Sequence, residues 1–201
     1  MSTSITIKNV RLAYVHLVEP RAAADGAEPK YSVTVIVPKT DTANLGLIRE
    51  ASKAAREARW GAKPPAGLRS PVRDGDEKDA DGNYVRGEEF RGAYYMNASS
   101  KRPVDAKIMM GGKIVNCPPE HLVSGYYGSV MANFYAYEAV GNKGVSAGLN
   151  GVTITKRGEP LGRKVDWSQA MEGAEDFGAG PAAAAMEDFA APAQGDEIPF
   201  N

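Results

Sequence analysis

The sequence predicts a mainly β domain, a small closed barrel of long curved strands around one helix, followed by a flexible acidic arm. Segments rich in Val, Ile, Thr and Tyr recur on both sides of a single helical segment. Glycines interrupt those segments, and in strands they permit the bulges and curvature that closing a small sheet requires. From Val165 onward the composition shifts to Ala, Gly, Pro and acids with no apolar periodicity, so the segment cannot bury enough apolar surface to offset its ordering entropy.

The elements follow in order. Ser4 to Leu17 (SITIKNVRLAYVHL) reads as a long, bent strand, with Asp25-Gly26 in the loop behind it. Lys30 to Val37 (KYSVTVIV) is a second strand, ended by Pro38 and antiparallel to the first. Asp41 or Thr42 can cap a helix in which Leu45, Ile48, Ala51, Ala55 and Ala58 share helical spacing. That helix stops near Trp60, before Gly61 and Pro64-Pro65. Arg49, Lys53 and Arg56 mark another of its faces and read as a solvated stripe. Residues 66–92 are polar and rich in Asp, Gly and Arg, which predicts a long loop or a splayed hairpin. Ala93 to Ala98 is a strand, Lys107 to Val115 a short strand or hairpin kinked at Gly111-Gly112, and Gly125 to Val140 a long strand. A turn at 141–144 leads to the return strand, Val145 to Thr155.

The net charge of −1 conceals an asymmetry. All 24 lysines and arginines lie at or before Lys164, together with 17 of the 25 acids. Residues 1–164 therefore carry +7 and residues 165–201 carry −8. These become the two expected units, a basic body and an acidic arm that mimics a polyanion. The arm repeats a motif of paired acids followed by an aromatic, at Glu175-Asp176-Phe177 and Glu187-Asp188-Phe189, and ends on a variant of it. One cysteine, Cys117, allows no internal disulfide and fits a reducing compartment. Met1 to Lys8 shows no basic stretch leading into an apolar one, and no apolar run approaches the ~20 residues of a membrane helix. A cytoplasmic setting and no membrane partner are expected.

Catalytic chemistry is poorly represented. His16 and His121 sit in no recognisable motif, and no nucleophile elbow, zinc spacing or phosphate loop occurs. Counted from Glu77, acids fall at positions 1, 3, 5 and 12 of a calcium-type loop with Gly82 at position 6. Yet Pro71, Gly75 and Gly92 occupy the flanks where helices belong, and Arg73, Lys78, Arg86 and Arg91 are interleaved. The segment reads as a solvated mixed-charge loop, so no enzyme, metal or cofactor is expected. Two alternatives remain: a magnesium-dependent nuclease centred on Asp74 to Glu89, and a virion or scaffold protein assembled through its tail.

Cations and aromatic rings remain. Single strands of nucleic acid are held without sequence preference by cations along the phosphates and rings on which bases stack. In the long strand, Tyr126, Val130, Ala132, Phe134 and Ala136 take the core face, leaving Tyr127, Tyr135 and Tyr137 among polar residues on the other. The candidate contacts are Arg11, Tyr14, Lys30, Tyr94, Lys101, Arg102, Lys107, Tyr127, Tyr135, Tyr137 and Lys143. Tyr94 and Tyr95 must face opposite ways, so only one can serve.

Five segments, RLAYVHL (11–17), KYSVTVIVPKTD (30–41), PVRDGDE (71–77), YYMNASSKRPVD (94–105) and NFYAYEAVGNKGVSAGLNGV (133–152), resemble in this order a family of bacteriophage single-stranded-DNA-binding proteins. The resemblance covers most of residues 4–164 and implies a five-stranded OB-like barrel, no catalysis, no metal, and a role in replication or recombination in the cytoplasm of a bacterial host. Asp196-Glu197-Ile198-Pro199-Phe200 is similar to the acidic tip with which bacterial single-stranded-DNA-binding proteins recruit replication and repair enzymes. Here Asn201 follows Phe200, a departure from the pattern in which Phe carries the terminal carboxylate. The implied partners are single-stranded DNA, replication or recombination proteins at residues 196–200, and further copies of the chain along the DNA. The same reading gives the arm a second role, as a competitor for the DNA groove.

Overall fold

The computed structural model describes residues 2–139, 141–162 and 172. The acidic arm, with its repeats and its tip at 196–200, lies otherwise outside the described residues.

Eight strands and one helix run in the order β1 (Ser4–Arg21), β2 (Lys30–Pro38), α1 (Thr42–Trp60), β3 (Val72–Asp74), β4 (Ala93–Ser100), β5 (Asp105–Met110), β6 (Lys113–Asn116), β7 (Tyr127–Ala139) and β8 (Asn142–Lys156). Two single-turn 3-10 helices, Glu88–Phe90 and Pro119–His121, interrupt the loops. β1 pairs antiparallel with β2 and with β7, β2 with β4, and β7 with β8. A short parallel pairing of β4 with β8, Ala98 opposite Ala147 and Ser99 opposite Gly148, completes the circuit. The result is the closed five-stranded OB-like barrel β1-β2-β4-β8-β7, which leaves none of those strands with a free edge.

Its interior is filled by the inward set of each strand. Ile7, Val10 and Leu12 come from β1, Val33, Val35 and Val37 from β2, Met96 and Ala98 from β4, Val130 and Phe134 from β7, and Val152 from β8. The expected alternation of β7 holds: Val130, Ala132 and Phe134 are buried, and Met131 and Tyr135 are exposed.

Helix α1 begins where the sequence places it. Asp41 caps it by accepting from the Asn44 amide at 3.0 Å. Ile48, Ala51 and Ala55 then face the barrel core. Asn44 is buried because it completes a backbone: its amide group donates to the Lys8 carbonyl, and its Oδ1 accepts from the Lys8 amide. That reciprocal pair holds β1 beside its first irregularity, at Asn9, where φ is +54°.

The hairpin expected at 107–115 forms as β5 and β6, joined by Gly111 and Gly112 at φ +56° and +76°, the conformation a two-residue turn of this hand requires. It extends the sheet by pairing β5 in parallel with β8. The turn after β7 is tighter than 141–144, since Ala139 already pairs with Asn142 and Glu138 with Lys143. The loop 66–92 is more ordered than its composition suggests. It carries β3 along β4, an isolated bridge between Lys78 and Tyr84, and the turn that delivers Phe90.

Candidate nucleic-acid interface

A groove crosses the outer face of β1, β2 and β4, and its shape begins with a fault in β1. The pairing of β1 with β2 slips between Ala13 and His16, and Tyr14 within that bulge adopts φ +46°. A left-handed tyrosine is costly and persists only where its surroundings over-determine it. Here the ring lies over Phe90, centroids 6.2 Å apart and planes at 17°, and remains 48% exposed. Phe90 is fully buried and meets Tyr95 edge-on at 5.0 Å. Ala13, Ile36 and Ala93 close around these rings as a second small core outside the barrel.

Arg86 lies beside the rings. Its Nε donates to the Tyr95 hydroxyl at 3.1 Å, and its guanidinium is 5.1 Å from the Tyr95 centroid. The Tyr95 hydrogen bond, with the nearby Tyr14 hydroxyl as a lesser contributor, raises its pKa further, so the cation is fixed. Arg69 and Arg73 line the same hollow of about 380 Å³, with Thr34, Asn97, Ser99 and Tyr137. Arg69 is held by the backbone, since its amide donates to the Lys143 carbonyl and its carbonyl accepts from the Val145 amide. Gly144 makes this approach feasible, because a Cβ there would lie 2.5 Å from the Arg69 carbonyl oxygen. Asn97 and Ser99 also border a second hollow that contains Arg21, Lys30 and Ser32. The two form one track along β2 and β4. Among the described residues, Arg21, Lys30, Arg69, Arg73 and Arg86 have no carboxylate within ion-pair distance.

The structure sorts the sequence candidates. Tyr14, Lys30 and Tyr137 line the track, and Lys101 flanks it, paired with Glu28 at 2.6 Å. Tyr94 does not enter the groove. Alternation turns it with Met96 and Ala98 to the inner side, where it borders a cleft against α1, and Tyr95 takes the groove face. Lys107 is on β5 and donates to Asn116 at 2.6 Å. Lys143 pairs with Glu138 at 2.8 Å. Arg11 donates through Nη2 to the Glu159 carbonyl at 3.1 Å. Tyr127 packs against Gly158 with the Lys156 ammonium 5.9 Å from its ring. Tyr135 is on the outward face of β7 but does not line the groove, and Arg102 is exposed in the loop after β4. Sequence reasoning passed over Tyr95, Arg21, Arg69, Arg73, Arg86 and Phe90. The pattern Tyr95-x-Asn97-x-Ser99 against Tyr94-x-Met96-x-Ala98 places Tyr95, not Tyr94, on the groove face.

The acidic loop has a structural role. Lys39 is clamped between Asp74 and Asp76 at 2.7 and 2.8 Å. Asp74 also accepts from the Asp76 amide, and Asp76 from the Gly92 amide. The Lys39 hydrogen bond is the largest cause holding both carboxyls below their usual range, and the two carboxylates hold Lys39 above its own. Asp79 spends a carboxylate oxygen on the Asp81 and Asn83 amides. Among the described residues no cluster of potential metal ligands forms.

A closed barrel with a cationic, aromatic track across its outer strands defines a protein of the OB-like nucleic-acid-binding class. The family model described as the single-stranded-DNA-binding protein of Enterobacter phage Enc34 matches residues 3–196, and the chain belongs to that family. Its members are binding proteins rather than enzymes. The fold is similar to the single-stranded-DNA-binding protein of bacteriophage Enc34 solved in complex with single-stranded DNA, with a TM-score of 0.68 and 28% identity over 80% of this chain and 90% of that one. A second structure of the Enc34 protein gives a TM-score of 0.64 and 27% identity, covering 84% of this chain and 89% of that one. A protein of Acyrthosiphon pisum secondary endosymbiont phage 1, named only as p50, is 30% identical over 165 residues, 77% of this chain and 84% of its own length.

Proposed function

We propose that this chain binds single-stranded DNA along the track from Lys30 and Arg21 to Arg86 and Arg69, without sequence preference. The observation that carries the reading is the convergence of Tyr14, Tyr95 and Tyr137 in one hollow with three arginines that have no ion pair among the described residues. Phosphates lie along the arginines, and bases stack on the exposed Tyr14 ring. The hydroxyl and amide groups of Thr34, Asn97 and Ser99 hydrogen-bond whatever edge is offered. The setting is phage DNA replication or recombination in the cytoplasm of the bacterial host. Family membership supports this setting, and copies side by side would protect the strand.

The acidic arm has two roles in this proposal. Its residues 196–200 dock replication or recombination proteins, and its charge of −8 competes with DNA for the basic body at +7. Deleting residues 165–201 then tightens DNA binding at low salt, whereas unchanged or weaker binding removes the competitive role.

The test of the main reading is a fluorescence-anisotropy titration of labelled oligo-dT at two salt concentrations, with duplex DNA as competitor. Salt-sensitive binding with preference for the single strand is expected, with log affinity falling by about 0.7 per phosphate contact against log salt. Absence of binding at low salt, repeated without the arm, overturns it.

A further inference from the structure

Helix α1 and the loop before β3 enclose a second hollow, of about 290 Å³, on the inner side of β4. Leu45, Ile48, Leu68 and Tyr94 supply an apolar wall. Arg49, Ser52 and Arg56 descend one face of the helix at spacings of three and four and form the opposite wall. Two features set this hollow apart from an ordinary packing defect. The Ser52 hydroxyl is buried with no hydrogen-bond partner, and a buried hydroxyl left unpaired costs stability unless something occupies the space beside it. Arg49 and Arg56 have no carboxylate partner among the described residues, whereas Lys53, the third cation of the stripe, pairs with Glu57 at 3.7 Å. The stripe that looks uniform in sequence therefore divides into one neutralised lysine and two arginines flanking a vacant hydroxyl.

The hollow adjoins the DNA track. Arg69, Ser70 and Pro71 line both, so this short segment forms the rim between them. A strand leaving the track past Arg69 meets the two helix arginines next. Tyr94 offers a half-buried ring on this side, with the Lys39 ammonium 5.1 Å from its centroid.

We propose that the cleft between α1 and the 68–72 segment is a nucleotide subsite: the bound single strand turns over the Arg69–Pro71 rim, Arg49 and Arg56 hold a phosphate group, Ser52 donates its hydroxyl to it, and the base rests against Leu68 and Tyr94. The inference rests on the reading of the protein as a single-strand binder, and its test separates the two. Oligo-dT affinity is measured across a salt series for the full-length protein, R49A/R56A, R49K/R56K and K53A, with circular dichroism melting of each.

Single-strand binding by the wild-type protein checks the underlying reading first. With that in place, R49A/R56A loses about 0.7 from the magnitude of the log–log salt slope, the one phosphate contact the two arginines share. R49K/R56K retains the slope, K53A matches wild type, and all four melt as folded proteins. A salt slope and affinity for R49A/R56A equal to wild type overturn the subsite, even though the protein binds DNA. A loss shared by R49K/R56K at unchanged slope overturns it as well, since that pattern reports a rearranged helix rather than lost phosphate contacts.

Discussion

Tyr14→Ala isolates stacking from folding. The Tyr14 ring is 48% exposed, and its aromatic neighbour is Phe90, at 6.2 Å and nearly parallel. Losing the aromatic pairing costs about 0.5–1.5 kcal/mol beyond the burial of the ring's covered side. In a chain of this size that lowers the melting temperature by only a few degrees. Alanine inherits the same left-handed backbone at φ +46°, so the strain neither grows nor disappears. The exposed side of the ring, by contrast, is where a base would lie, and a stacked base is worth about 1–3 kcal/mol, or roughly 5- to 150-fold in affinity. Anisotropy with oligo-dT at fixed salt measures the loss, and differential scanning calorimetry measures the stability. Tyr135→Ala is the matched comparison: its ring is 44% exposed on β7, and it is not among the residues that line the hollow. Wild-type affinity for Tyr14→Ala, or an equal loss for Tyr135→Ala, refutes the assignment of the groove.

The other predictions address what surrounds that ring. R69Q/R73Q removes two unpaired cations from the track, so its salt slope falls by about 1.4 in magnitude, as read from the same titrations. Phe90→Ala empties the small outer core beneath Tyr14 and Tyr95 and costs about 3–5 kcal/mol, measured by urea unfolding, with DNA affinity falling as the loop loosens. The Asp74 and Asp76 carboxyls are held below their usual 3.8, chiefly by Lys39. Their contribution to stability is full above that value and disappears as pH falls through the lowered folded values. Lys39→Met removes the largest cause of this dependence and leaves the Asp76 and Gly92 amide bonds, so its melting temperature changes less than that of the wild type between pH 4 and more acidic buffers, as followed by circular dichroism.

Most of the barrel was legible because its elements carry clear ends or a clear alternation. β2 ends at Pro38, α1 starts at its Asp41 cap, and β7 alternates without a break from Val130 to Phe134. β1 was harder to read. Its two left-handed residues, Asn9 and Tyr14, are not glycines, so no residue type announces the bulges that curve it. Its pairing with β2 and β7 imposes them instead. The site was legible in kind but not in position. The composition announced rings and cations, but a cation's availability depends on its neighbours in space. Lys101, Lys107 and Lys143 look equivalent to Lys30 in the sequence, yet each has an acceptor or carboxylate within 2.8 Å.

The loop 66–92 shows how the fold sorts a mixture of charges. In sequence its acids and bases nearly cancel. In the structure Asp74 and Asp76 converge on Lys39, from the end of β2. Arg91 lies 3.2 Å from the centre of the Tyr84 ring and donates to the Gly75 carbonyl, while the Lys78 ammonium lies 4.7 Å from the same ring. Those pairings knit the loop to the barrel and engage Asp74 and Asp76. Among the described residues Arg69, Arg73 and Arg86 are then left over the groove without a paired carboxylate, and Phe90 is pressed beneath Tyr14. Three of the carboxylates that suggest a metal site in the sequence, those of Asp74, Asp76 and Asp79, are thus spent on Lys39 or on backbone amides, and an acid so spent does not neutralise the track.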